Sequence, residues 1–63
     1  MPELTPSMLF WIPKERASGA SEVEVARRHG LTEADVRKIC AASEETGPGS
    51  WNDYVAAVTR RYA

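Results

Sequence analysis

Four cations stand close together in this chain: Arg27, Arg28, Arg37 and Lys38. Groups of this kind neutralise phosphate or pair with carboxylates. Between residues 27 and 38 they outnumber the acids, which are Glu33 and Asp35. Elsewhere the acids dominate, through Glu3, Glu22, Glu24, Glu44, Glu45 and Asp53, and the net charge is −1. A strong nucleic-acid binder usually carries a basic surplus. The distribution of charge therefore matters more here than the total.

Other chemistry finds less support. His29 is the single histidine and Cys40, eleven residues on, the single cysteine. That is not metal-ligand spacing, so no metal and no cofactor is expected. His29 reads as a partly buried ring closing a helix, and Cys40 as a core residue. One histidine without a glycine-rich nucleophile turn makes no catalytic triad. Gly47-Pro48-Gly49 lacks a following Lys-Ser/Thr and reads as a loop, not a phosphate cradle. Trp11, Trp51, Tyr54 and Tyr62 read as core and core-edge residues. The expectation is a protein without catalytic activity and without a small-molecule substrate.

Sixty-three residues allow one domain with one small core. A chain of this size buries only about 60% of the surface it exposes when unfolded. Hydrophobic residues make up 43% and charged residues 27%, which suits a globular domain and not a disordered tail. No apolar run reaches the roughly 20 residues that span a bilayer. The start Met1–Thr5 lacks a basic and an apolar leader region, and the lone cysteine fits a reducing compartment. The expected location is cytoplasmic.

The elements that must position the cations are helical. Thr5 can cap a first helix, with Pro6 at its first position. That helix is expected over 6–12, buried on all sides through Met8-Leu9-Phe10-Trp11-Ile12, and stopped or kinked by Pro13. A separate short piece, Lys14–Ala17, follows it. Ser21 and Glu24 fit a capping box that opens a helix over 21–29. Gly30 ends that helix, because glycine takes the left-handed conformation without steric cost. Thr32 caps the next helix, over 32–45, whose Val36, Ile39 and Cys40 share one face. Thr46-Gly47-Pro48-Gly49 breaks it. Ser50 caps a last helix over 51–62, with Trp51, Tyr54, Val55, Val58 and Tyr62 as its apolar stripe. No alternating run of strand length occurs. The fold class is all-α, three to four helices in a single domain spanning 1–63, with the core completed by Phe10, Trp11, Trp51 and Val58.

The stretch from Val23 to Cys40, "VEVARRHGLTEADVRKIC", has a further pattern. Two helices joined steeply by a short turn need a thin residue where they cross and a residue tolerant of positive φ at the corner. Ala26 and, four residues on, Gly30 supply these. Val25, Leu31, Val36 and Ile39 can seal the corner. Residues 18–42 thus resemble the helix-turn-helix of small phage and bacterial regulators and of transposase N-terminal domains. Glu22 departs from that pattern, standing where such motifs often carry an apolar residue.

That resemblance implies a DNA-binding, transcription-regulating domain whose second motif helix, 32–45, lies in the major groove of duplex DNA. Thr32, Glu33, Ala34, Arg37, Lys38 and Ala41 would then face the groove, Arg37 pairing with guanine and Ala34 touching a thymine methyl. Arg27 and Arg28 would hold phosphate and fix orientation. Glu33 could accept from cytosine N4, but Glu33 and Asp35 have a simpler explanation as first-turn acids that complement the helix dipole. Useful specificity would require a homodimer or a partner. The rival reading is a protein-interaction module, an inhibitor or adaptor, using an aromatic or acidic face. One basic face holding all four cations favours DNA. An acidic second helix beside exposed aromatics favours a protein partner.

Overall fold

The computed structural model describes residues 2–63 as four helices: α1 (Pro6–Ala17), α2 (Glu22–His29), α3 (Glu33–Thr46) and α4 (Trp51–Tyr62). There is no strand among the described residues, and none of the helices is long and apolar enough to cross a membrane. α3 is the central element, packing against each of the other three, and α1 also packs on α2.

Side chains within hydrogen-bond reach fix where the helices begin. The hydroxyls of Thr5, Ser21, Thr32 and Ser50 each accept a first-turn backbone N–H that has no partner inside its helix. At Thr32 the arrangement is reciprocal. Asp35 N–H donates to Thr32 Oγ1 at 3.1 Å, and Thr32 N–H donates to Asp35 Oδ2 at 3.1 Å. The box expected at Ser21 is only half made: Glu24 N–H reaches Ser21 Oγ at 3.1 Å, and no bond returns from the Glu24 carboxylate. Gly30 closes α2 in the left-handed region, with φ 70° and ψ 32°. This aims Leu31 N–H back at Ala26 C=O, 2.8 Å away.

The first helix differs from its expectation. It runs unbroken through Pro13 to Ala17, where a stop near residue 12 and a separate piece were expected. Proline has no N–H, so the carbonyl four residues earlier, Leu9, lacks its helical donor. Tyr54 of α4 replaces that donor: its hydroxyl donates to Leu9 C=O at 2.6 Å, in a buried position. The helix therefore keeps its carbonyl satisfied at the point where proline would otherwise break it.

The core consists of Leu9, Ile12, Val25, Ala26, Val36, Ile39, Ala42, Tyr54, Ala57 and Val58. Full burial of an Ile or Val is worth about 1.5–3 kcal/mol, so this small set must provide most of the stability. The α3 members recur every third residue, as one stripe of a helix requires. Three residues expected in the core are outside it: Phe10 is 46% exposed, Trp11 49% and Trp51 44%. A helix turns only one stripe inward. Once Leu9 and Ile12 face α3, Phe10 and Trp11 rotate outward. Trp51 occupies the first turn of α4, and Ala57 instead joins Tyr54 and Val58 inside. Cys40 sits at the core's edge, half-buried, and not within it.

Candidate functional site

The exposed face of α3 carries Glu33, Ala34, Arg37, Glu44 and Glu45. Arg37 Nη1 lies 3.0 Å from Glu22 Oε1 of α2. A phosphate approaching Arg37 would thus meet the Glu22 carboxylate first, with Glu33 one turn earlier on the same helix; Glu45 is already paired with Arg60 at 2.7 Å and Arg61 at 2.9 Å. The Arg37–Glu22 ion pair itself is exposed and worth at most about 1 kcal/mol, so it could be surrendered. Glu33 and Glu44, which make no ion pair among the described residues, would remain.

Two of the other cations, Lys38 and Arg28, turn to other partners. Lys38 was expected to face outward with Arg37. Instead it is half-buried on the far shoulder of α3, its Nζ 4.4 Å above the Tyr62 ring of α4. Successive residues on a helix are separated by about 100°, which suffices to send 37 toward α2 and 38 toward α4. Arg28 lies 3.1 Å from Glu15 of α1. Arg27 is exposed, with no ion-pair partner among the described residues. Thr32 is exposed but its hydroxyl is engaged in capping. Ala41 is half-buried beside a cleft of about 610 Å³, whose walls include Arg16, Glu22, Arg37 and Cys40. Burial pushes the Cys40 thiol up from its ordinary value, which disfavours the reactive thiolate. Among the described residues no group of three or more His, Cys, Asp or Glu could hold a metal ion.

Glu15 and Asp35 also staple helices together, as Glu22 does with Arg37 and Glu45 with Arg60 and Arg61 of α4. Glu15 of α1 receives His29 Nε2 at 2.9 Å as well as Arg28. The His29 hydrogen bond, with Arg28 adding to it, holds the Glu15 carboxyl below its usual value despite some burial. For Asp35, burial alone would raise the pKa. The Thr32 backbone N–H and the Tyr62 hydroxyl, 2.8 Å from Oδ1, more than offset that and leave it lowered. A carboxylate depressed in the folded state stabilises the fold above its unfolded pKa, near 4. That contribution is lost as pH falls through the folded value. The melting temperature should accordingly drop below about pH 4, and Asp35→Asn should shrink the drop. Melting profiles of parent and variant that fall in parallel would show that Asp35 contributes nothing to acid sensitivity.

The second surface is aromatic. Between α1 and α4 runs a groove of about 310 Å³. Phe10, Pro13 and Lys14 line one side and Trp51 the other, with Leu9 and Tyr54 also contributing. Phe10 meets Trp11 edge-on at 5.1 Å between centroids, and Trp51 meets Tyr54 edge-on at 5.5 Å. Lys14 Nζ stands 4.8 Å from the Phe10 centroid. Sequence reasoning missed this surface by burying the run 8–12 on all sides. The 3.6-residue period anchored on Leu9 and Ile12 was the signal that could have found it. No family model, no curated protein and no solved structure matches this chain.

Proposed function

We propose that this protein is a binding module for another protein, docking through the aromatic face formed by α1 and the start of α4. The observation that carries the reading is the exposure of Phe10 and Trp51, at 46% and 44%, on the lining of one groove, with Trp11, 49% exposed, edge-on against Phe10 beside it. Large aromatic side chains half out of water are costly to leave uncovered and are the anchors that dominate protein interfaces. The turn of Lys38 and Arg28 to other partners and the acidic face of α3 support the same reading, since both weaken a phosphate contact.

A second reading, duplex DNA binding by a small regulator, is supported by a specific observation. Gly30 makes a left-handed corner between α2 and α3, with Ala26 only 4% exposed behind it. Arg27, Glu33, Ala34 and Arg37 lie exposed on either side of that corner.

Two measurements separate the readings. Fluorescence anisotropy of a random duplex at low salt should stay flat up to about 100 μM protein, the weak end of non-specific DNA binding. Immobilised parent protein should retain a partner from cell extract that Phe10→Ser/Trp51→Ser does not, with both proteins giving the same far-UV circular dichroism. Duplex binding that weakens steeply with salt would restore the DNA reading. Equal retention by parent and double variant would remove the aromatic face from consideration.

A further inference from the structure

Resting on the protein-binding reading above, we infer that the α1–α4 groove takes a short acidic segment of a partner, anchored by a large apolar side chain. Size and charge both lead there.

The available surface is small. A buried aromatic residue contributes about 150–250 Å², so Phe10 and Trp51, the two aromatics at near half exposure on the groove, offer roughly 200 Å². A stable interface between two folded surfaces takes about 800 Å² from each partner. The patch is therefore too small to hold a second copy of this chain as a stable dimer, and it suits a segment. The groove, about 310 Å³, falls at the small end of pockets that enclose a compact ligand. It has room for an anchoring side chain and the backbone around it.

The charge is one-sided. Among the described residues Lys14 is the one charged residue lining the groove, in a chain whose net charge is −1, and no carboxylate among them lines it. The Lys14 ammonium is positioned against the Phe10 ring, so it is held at the groove's wall. Ser43 supplies a hydroxyl on the lining that makes no hydrogen bond to a protein group among the described residues. An entering segment would meet an apolar floor, one cation and one free hydroxyl. An apolar anchor with a neighbouring carboxylate matches all three, whereas a lysine- or arginine-rich segment would be repelled.

The test uses the isotopically labelled full chain and two short capped peptides, each with Trp and Leu one helical turn apart. One peptide places glutamates at the remaining charged positions and the other lysines. The glutamate peptide should shift the amide signals of Phe10, Lys14 and Ser43 and the Trp51 indole signal. It should bind roughly tenfold more tightly than the lysine peptide, with attraction in one case and repulsion in the other. Lys14→Glu should invert that order and Lys14→Met should level it. Lys14 is exposed, so neither change opens the core. Equal affinities at the same residues would overturn the acidic partner while leaving a protein partner standing. Silence toward both peptides would overturn the segment and the protein-binding reading together. Shifts at Phe10 and Trp51 that grow with protein concentration, without peptide, would assign the groove to a second copy and overturn the inference.

Discussion

Tyr54→Phe should lower the unfolding free energy by about 1–3 kcal/mol, the cost of leaving a buried carbonyl without its hydrogen bond. The ring and its packing are unchanged, so the loss belongs to the hydroxyl. In the parent that hydroxyl donates to Leu9 C=O at 2.6 Å, where Pro13 cannot. Burial pushes the Tyr54 hydroxyl well above the ordinary phenol range, so it remains a donor across the pH range in which the protein would be studied. A domain of this size has in total about 3–9 kcal/mol of stability. A loss of 1 kcal/mol moves the melting temperature by roughly 4–8 °C, which makes the change easy to measure. The proline provides a second arm. Pro13→Ala restores an N–H aimed at the same carbonyl, so Tyr54→Phe made in that background should cost only a few tenths of a kcal/mol. Equal losses in both backgrounds would show that the hydroxyl is not substituting for the missing helical bond.

Ala26→Leu should cost about 1–3 kcal/mol through overpacking. Ala26 is 4% exposed and belongs to the core shared by α1, α2 and α3. Its carbonyl also receives Leu31 N–H at 2.8 Å, so a displaced α2 would strain the Gly30 corner as well. Arg27→Leu is the control: the same side chain is introduced one residue later, at an exposed position, where the change should stay within about 0.5 kcal/mol. Urea titrations of the three proteins give the comparison. Coincident curves for Ala26→Leu and the parent would mean that the core can open there without cost.

The parts of this fold that could be read from the chain are those set by neighbours in sequence. Ser21, Thr32 and Ser50 cap helices within three residues of themselves, and Gly30 ends α2 by its own backbone freedom. The bounds of α2, α3 and α4 accordingly came out within one residue of the expected ones. The buried stripe Val36–Ile39 also follows from local periodicity. What local signals could not supply was any group whose partner lies on another helix. Pro13 reads as a helix breaker until a tyrosine far along the chain satisfies Leu9. Arg37 reads as a free cation until α2 brings Glu22 beside it, and Lys38 until α4 brings the Tyr62 ring over it. Phe10, Trp11 and Trp51 read as core because of their side chains. They lie outside because the ten buried positions of so small a domain were already filled by the stripes facing α3. The sequence by itself determined the helices, through short-range hydrogen bonds and periodicity. Only the tertiary structure decided which cations are neutralised and which aromatics reach solvent, because both depend on the rotation of each helix against its neighbours.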